Sequence, residues 1–327
     1  MKLQTEIPLK PEENQIDYSS KILLLGSCFT ENIGAKFDYF KFQNLQNPFG
    51  IIFNPVSIEK LVVRAIENDF FSEKDIFEHN GIWKCFEAHS EVSALEKNEF
   101  LQNLNTALKD LRAALFSSTH IIFTFGTSWV YRNIETNEIV ANCHKLPQKN
   151  FTKELLSIEE ISKSLQNIFH KISEINPKAI IINTVSPVRH IKDGYVENSL
   201  SKAHLLSAIH KTICHPEPVE GQQPSTINQH LFYFPSFEIM MDELRDYRFY
   251  AEDLLHPNKT AIEIIWQKFS EVWIASKTAK IQKEIASIQN SLNHKPFNSQ
   301  SFEHLQFLEI LQQKITNLQK RFPHINF

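Results

Sequence analysis

The fold of this chain is constrained most by residues 21–37, where a short apolar run meets a tight turn and then the start of a helix. The apolar run from Ile22 to Leu25 stops at Gly26, and Ser27 stands directly after the break. In open α/β sheets such a junction lies at the carboxyl edge of a strand, where ligands bind. A serine in this position is more often only a helix N-cap, so the motif by itself leaves the role of Ser27 open.

The same succession of apolar run and helix recurs along the chain. Apolar, β-rich segments lie at residues 120–126, 179–186 and 231–235. Segments with a helical period lie at residues 57–67, 101–115, 157–172, 198–213, 236–244 and 259–275. Strands that alternate with helices of this length predict a parallel, doubly wound sheet, and therefore an α/β protein. Two hairpins are predicted as well, one around Asn80-Gly81 and one turning at residues 135–137.

The chain divides into a lead-in, one large domain and a helical extension. Residues 1–20 are polar and aperiodic, and a domain is expected over residues 21–276. Within it, residues 214–229 hold three prolines and a glycine with almost nothing apolar, which predicts a surface insertion. Residues 277–327 read as helical. They carry one apolar stripe, formed by Phe302, Leu305, Leu308, Leu311 and Ile315. This stripe either packs back on the domain or pairs with a second chain in a homo-oligomer.

The composition argues against several classes of protein. A net charge of -4 and a pI near 6.4 argue against a nucleic-acid partner. The four cysteines are far apart and form no C-x-x-C pair, which argues against a structural zinc site or a disulfide framework. No apolar run approaches the roughly 18 residues of a membrane span, and residues 1–20 lack the apolar segment of a signal peptide. We therefore expect a cytoplasmic protein.

Common cofactor and catalytic motifs are missing from the sequence. The seven glycines form neither a G-x-G-x-x-G fingerprint nor a Walker A loop, and no H-E-x-x-H pair occurs. The G-x-S-x-G elbow of ordinary α/β-hydrolases is also absent. We expect a protein that needs no cofactor and no metal.

One constellation, formed by Ser27, Asp253 and His256, remains a candidate for chemistry. A serine hydroxyl becomes a useful nucleophile when an imidazole accepts its proton, and that imidazole needs an acceptor that fixes its tautomer. At a three-residue separation, the side chains of Asp253 and His256 can project to the same side of one turn. The alternative is that Asp253 caps the last core helix and His256 lies on its first turn.

Six stretches of the sequence together resemble the GSCFA family, a branch of the SGNH/GDSL hydrolase superfamily. They are GSCFT (26–30), NPFGIIFNP (47–55), FGTSWVYR (125–132), NCHKLP (142–147), TVSPVRH (184–190) and MMDELRDYRFYAEDLLHPN (240–258). The resemblance implies a three-layer α/β/α, flavodoxin-like parallel sheet. It also implies a catalytic triad of Ser27, Asp253 and His256.

The resemblance further implies an oxyanion hole formed by the amide of Ser27, the amide of Gly50 and an asparagine after the third core strand. No asparagine stands at residues 126–129. Ser128 is a candidate replacement, and Asn142 or His144 of the NCHK stretch are others. Losing one such donor typically costs about 10²–10³ in rate, so a replacement is expected in an active enzyme.

Further polar residues near predicted loop ends are candidates for a substrate site. They are His89, His144, Arg189 and His190. A single polar residue at a strand end is as well explained by capping or by contact with solvent, so these residues remain candidates only.

The leading hypothesis is a serine-dependent ester hydrolase that forms an acyl-enzyme. The resemblance points to small O-acyl groups on sugars, or to lipid and other carboxylic esters. A second hypothesis is a non-catalytic binding or scaffold protein that uses its C-terminal helices. A third is a thiol-dependent enzyme acting through Cys28, although a free cysteine is usually a small buried hydrophobic residue.

Overall fold

The structure, a computed structural model, describes residues 5–214, 230–298 and 300–327. Apart from Cys214, the expected insertion at 214–229 lies outside these residues. The strands in the described part are β1 (Lys21–Gly26), β2 (Gln43–Gln46), β3 (Phe77–His79), β4 (Ile82–Lys84), β5 (His120–Phe125), β6 (Trp129–Asn133), β7 (Ile139–Val140), β8 (Phe151–Leu155), β9 (Ile180–Val185) and β10 (Leu231–Tyr233).

The helices alternate with these strands. They are α1 (Cys28–Tyr39), α2 (Pro55–Glu67), α3 (Lys97–Ser117), α4 (Ile158–Ile175), α5 (Tyr195–Cys214), α6 (Ser236–Glu238), α7 (Lys259–Trp273), α8 (Ala279–Leu292) and α9 (Phe302–Arg321). The short helix α6 continues directly into a π-helical turn over Ile239–Glu243.

Five parallel strands form the central sheet in the order β10-β9-β5-β1-β2. Counting these five alone in chain order, the arrangement is 2-1-3-4-5, which is the flavodoxin-like order. The predicted α/β fold class with a parallel sheet is therefore confirmed. In this topology the connections reverse direction on either side of β1, and ligands bind beyond the carboxyl ends of the strands there.

Side chains of the central strands alternate between two hydrophobic layers. Leu23 and Phe123 face the layer that contains the apolar sides of α2, α3, α4 and α5. Leu24 and Ile122 face the opposite layer, which contains α1 and α7. Leu23 and Leu24 are fully buried, and burial of a leucine side chain contributes roughly 1.5–3 kcal/mol. The sheet is thus covered on both faces, as expected for a three-layer α/β/α fold.

The two antiparallel excursions occur where turns were predicted. Strands β3 and β4 form a hairpin around Asn80-Gly81. Strands β6 and β7 pair on either side of residues 135–137, and β8 adds a third strand that the sequence interpretation missed. This small sheet places residues 142–147 beside the carboxyl edge of the central sheet, where they share a cleft with His190.

The C-terminal helices pack on the α1–α7 layer. Leu311, Ile315 and Leu318 of α9 are buried in that layer together with residues of α8. The other half of the predicted stripe, Phe302, Leu305 and Leu308, is exposed. Half of the stripe therefore packs back on the domain, and pairing of the exposed half with a second chain stays a prediction.

Within the residues that the structure describes, none of the helices has both the length and the apolar content required to cross a membrane.

Candidate active site

The turn between β1 and α1 lies at the centre of the carboxyl edge. Strand β1 is flanked by β2 and β5, and Ser27 is the N-cap of α1. The Ser27 side chain is fully buried, and its hydroxyl has no hydrogen-bond partner. An unpaired buried hydroxyl costs about 1–3 kcal/mol, and such groups in native proteins require an explanation. A hydroxyl held ready for another partner is one such explanation.

The side chains of Asp253 and His256 form a hydrogen-bonded pair. His256 Nδ1 donates to Asp253 Oδ2 at 2.5 Å, while Asp253 Oδ1 accepts the amides of Leu255 and His256 at 2.9 and 3.0 Å. These hydrogen bonds lower the pKa of Asp253 to about 2. The bond from the His256 amide has the largest effect, followed by those from the Leu255 amide and the His256 ring. The carboxylate therefore fixes the proton on Nδ1, and His256 Nε2 is left with a lone pair that can accept a proton.

The alternative role of Asp253 as a helix cap is wrong. The N-cap of α7 is Asn258, whose side chain accepts the Ala261 amide at 3.0 Å. Asp253 and His256 lie instead in a separate turn, which is closed by a hydrogen bond from the Ala251 amide to the His256 carbonyl oxygen at 2.8 Å. Both side chains are about half exposed, at 45% and 49%. The pair thus lies at the surface, where it can meet a substrate.

A cleft of about 510 Å³ lies beside the Ser27 turn. We call it the Phe53–His190 cleft; its lining includes Phe53, Thr127, Asn142, Phe151 and His190. The Phe53 side chain connects it to Ser27. A Cβ atom added to Gly126 would lie 2.8 Å from Phe53 Cδ1 and 3.3 Å from Ser27 Cβ, so both residues pack on this glycine.

His190 lines this cleft five residues after β9 ends at Val185. Its ring packs edge-on against Phe53, with centroids 5.0 Å apart, and its amide donates to Asn198 Oδ1 at 2.9 Å. Burial, together with the positive charges of Lys202 and His256, lowers the pKa of His190 to about 3. The ring is therefore neutral near pH 7, and it lies within electrostatic range of both of these side chains.

Lys202 of α5 is a site residue that the sequence interpretation missed. Its side chain is 1% exposed, and Nζ donates to the carbonyl oxygens of Gly126 at 2.7 Å and Ser186 at 2.8 Å. Burial lowers its pKa to about 7. Lys202 therefore ties together the segments that follow β5 and β9, next to Ser27. The available signal was its position: Lys202 lies three residues before Leu205, on the buried side of an amphipathic helix.

Cys28 differs from its neighbour Ser27 in exposure. Its side chain is partly exposed, at the first position of α1. Burial raises the pKa of Cys28, while the charge of Lys202 acts in the opposite direction. The thiol is thus accessible, yet mainly protonated near neutral pH.

Three of the predicted oxyanion-hole donors already have partners in the structure. The Ser27 amide donates to the Thr124 carbonyl oxygen at 3.0 Å, and the Gly50 amide donates to that of Asn47 at 2.7 Å. The Ser128 hydroxyl is fully buried and donates to the carbonyl oxygen of Ser201 at 2.7 Å. The replacement role predicted for Ser128 is therefore wrong, because this side chain anchors α5. The amides of Ser27 and Gly50 are likewise already engaged in hydrogen bonds to backbone carbonyl groups.

Asn142 and His144 of the NCHK stretch have different surroundings. Asn142 lines the Phe53–His190 cleft, and its Oδ1 accepts the His144 amide at 2.8 Å. The His144 ring is fully buried, and Nε2 donates to the Cys85 carbonyl oxygen at 2.7 Å. The prediction that the His144 side chain binds substrate or an oxyanion is therefore wrong, since its ring is part of the core.

His89 and Arg189 flank the site without joining the cleft lining. A Cβ atom added to Gly50 would lie 2.5 Å from His89 Cβ, so the backbone of Gly50 and His89 pack tightly together. Arg189 Nη2 donates to the Met241 sulfur at 3.0 Å. Substrate binding by either side chain stays a prediction.

The buried ring of His144 predicts a pH-dependent stability. Burial lowers its pKa from 6.5 to about 4, so between these values the unfolded chain binds a proton that the folded chain does not. This contribution is fully present above pH 6.5 and is lost as pH falls toward 4. We expect the free energy of unfolding of the wild type to fall by about 2 kcal/mol more between pH 7 and 5 than that of His144→Gln. Urea unfolding at both pH values measures this difference, and equal falls would contradict it.

Comparison with known proteins gives a family and distant structural likenesses. No curated protein sequence matches the chain. An acetyl xylan esterase, Est2A, from the rumen bacterium Butyrivibrio proteoclasticus is similar in structure, with 12% identity and a TM-score of 0.33. That similarity covers 85% of this chain and 65% of the esterase, and it is too distant to bear on activity.

The family match is extensive. Residues 21–269 match the GSCFA family, and residues 285–327 match the GSCFA domain protein, C-terminal domain. The first match takes in the central sheet, the Ser27 turn and the Asp253–His256 pair. The chain therefore belongs to the GSCFA family.

Proposed function

We propose that this protein hydrolyses carboxylic esters, with Ser27 as the nucleophile and the Asp253–His256 pair as the proton acceptor. The observation that carries this proposal is the 2.5 Å hydrogen bond from His256 Nδ1 to Asp253, in a pair close enough to His190 for the charge of His256 to act on that ring. An imidazole oriented by a carboxylate, with Nε2 left open, is the arrangement that activates a hydroxyl. The unpaired hydroxyl of Ser27 supports the same role.

In the first half-reaction Ser27 Oγ forms a bond to the acyl carbon while His256 Nε2 takes the hydroxyl proton. The Asp253 carboxylate stabilises the imidazolium that results. Collapse of the tetrahedral intermediate breaks the bond to the alcohol oxygen, and the alcohol leaves with the proton from His256. In the second half-reaction His256 takes a proton from water, the hydroxide attacks the acyl-enzyme, and the Ser27 oxygen leaves with that proton. The products are the acid and the alcohol, and no cofactor takes part.

The mechanism requires that substrate entry uncover the Ser27 hydroxyl. Phe53 is the side chain best placed to yield, because it lines the cleft and packs on Gly126 beside Ser27. The cleft, at about 510 Å³, is within the size range of small-molecule sites and has several apolar side chains in its lining. These properties support a small acyl ester, such as an O-acylated sugar, as the substrate class.

A second candidate, a thiol-dependent acyl hydrolase, is favoured by one observation. Cys28 is partly exposed whereas Ser27 is fully buried. Against it, the raised pKa of Cys28 disfavours the thiolate, which is the reactive form.

Turnover of p-nitrophenyl acetate and acetylated sugars by Ser27→Ala and Cys28→Ala separates these candidates. We expect Ser27→Ala to abolish turnover and Cys28→Ala to retain most of it. The reverse result would assign the chemistry to the thiol. If the wild type turns over no ester in a broad panel, or if Ser27→Ala and Cys28→Ala both match it, the hydrolase proposal fails. The binding or scaffold hypothesis, with the exposed half of α9 as its surface, would then replace it.

A further inference from the structure

Ester hydrolysis needs a hydrogen-bond donor for the negative charge that develops on the carbonyl oxygen. Such donors commonly contribute about 10²–10³ in rate each. Three of the donors expected from the sequence are engaged elsewhere, since the amides of Ser27 and Gly50 and the hydroxyl of Ser128 all have carbonyl partners. A fourth candidate, Asn142, lines the Phe53–His190 cleft with its Oδ1 bound to the His144 amide. The oxyanion therefore needs a donor near Ser27 that is not engaged in this way.

Among the described residues, His190 presents an unpaired ring nitrogen at this place. Its Nε2 is buried and has no hydrogen-bond partner. The ring lines the Phe53–His190 cleft and contacts Phe53, which packs on Gly126 next to Ser27. His256 lies close enough for its charge to act on His190. His190 thus lines the cleft beside the Ser27 turn and lies within electrostatic range of the proposed base.

The backbone of His190 is held in place from α5. Asn198 is 5% exposed and accepts the His190 amide, while Lys202, one turn further along the same helix, binds the carbonyl oxygens of Gly126 and Ser186. One face of α5 therefore sets the positions of the segments after β5 and β9 together. A donor held this way does not have to reorganise when charge develops, which is the condition for a large electrostatic effect.

We propose that His190, in the tautomer with its proton on Nε2, donates a hydrogen bond to the carbonyl oxygen of the ester as it becomes an oxyanion. This inference rests on the proposed ester hydrolysis and adds a catalytic residue to it. The low pKa of the ring fits a donor better than a base: a neutral imidazole donates one hydrogen bond, whereas a group that protonates only near pH 3 is a weak base. Burial is the main cause that keeps the ring neutral, and the positive charges of Lys202 on α5 and of His256 act in the same direction.

The test compares His190→Phe, which keeps a ring without a donor, with His190→Gln, which restores an N–H group. We expect His190→Phe to lower kcat by about 10²–10³ while KM stays within about threefold. The kcat of His190→Gln should be at least about tenfold higher than that of His190→Phe. His170→Phe, a histidine of α4 on the opposite part of the molecule, is the control and should keep wild-type kcat.

Two results would overturn the inference while leaving the proposed function intact. A wild-type kcat in His190→Phe, in an enzyme that Ser27→Ala and His256→Ala inactivate, would remove His190 from catalysis and leave the hydrolase intact. Equal losses in the Phe and Gln variants, with equally lowered melting temperatures, would show a structural role. If the wild type hydrolyses no ester, the inference falls together with the proposed function. If His190→Phe does not fold, kcat of His190→Asn and of His190→Gln is compared with that of the wild type instead. Both variants must melt at the wild-type temperature for this comparison.

Discussion

Replacing His256 by alanine is expected to lower kcat for ester hydrolysis by about 10³-fold or more, with little change in KM. Without the imidazole nothing accepts the Ser27 proton in the transition state, while binding of the ester is untouched. Asp253→Asn should also lower kcat, because the amide no longer stabilises the imidazolium or fixes its tautomer. Steady-state kinetics at saturating substrate measures both effects.

The exposed position of His256 allows a loss of activity in His256→Ala to be distinguished from a loss of stability. The side chain is about half exposed, so its loss leaves no core cavity and the melting temperature should stay near that of the wild type. His294→Ala is a matched control, since this histidine is exposed and lies after α8, away from the carboxyl edge. A His256→Ala variant with wild-type kcat would contradict the role assigned to the Asp253–His256 pair.

Replacing Gly26 by alanine is expected to reduce the free energy of unfolding by more than about 4 kcal/mol, enough to prevent folding of a marginally stable domain. Gly26 has φ of +147°, a conformation that residues with a Cβ atom rarely adopt. The added methyl group would also lie 2.2 Å from the carbonyl oxygen of Thr124 on the neighbouring strand. Because β1 and β5 are central strands, neither backbone can move aside. Urea unfolding or the yield of folded protein measures the effect.

Gly81→Ala separates backbone strain from steric overlap as causes of the lower stability expected for Gly26→Ala. Gly81 also has a positive φ, +74°, but a Cβ atom there would meet nothing within 4 Å. Only the backbone strain remains, which costs about 1–2 kcal/mol. If Gly26→Ala proved no more destabilising than Gly81→Ala, the close contact between β1 and β5 at the Ser27 turn would be wrong.

The parts of the fold that depend on local pattern could be predicted from the sequence. The strand before Ser27 was predicted at residues 21–25 and is Lys21–Gly26, because a run of buried apolar residues ends at a glycine. Strand β2 was missed. It is Gln43–Gln46, a polar segment at the edge of the sheet, and an edge strand needs no apolar run. The nearby residues 51–53 are all apolar, yet they form no strand.

The parts of the site that depend on tertiary packing could not be predicted. The Asp253–His256 contact follows from a three-residue spacing within one turn, so sequence reasoning reached it. The direction of the Ser128 and His144 side chains depends on α5 and on the carbonyl of Cys85, which are distant in sequence. Lys202 was overlooked because a lysine on a helix normally faces water, and only packing shows that its ammonium group binds two strand-end carbonyls.

The central claim is that Ser27 is a nucleophile activated by His256, and covalent labelling tests it most directly. A fluorophosphonate probe reacts with an activated serine hydroxyl and leaves a stable adduct. Trypsin releases residues 22–36 as one peptide, which contains Ser27 and Cys28, so fragment-ion mass spectrometry can assign the modified residue. We expect the adduct on Ser27 in the wild type and its loss in His256→Ala. An unmodified peptide, or an adduct on Cys28, would contradict the claim.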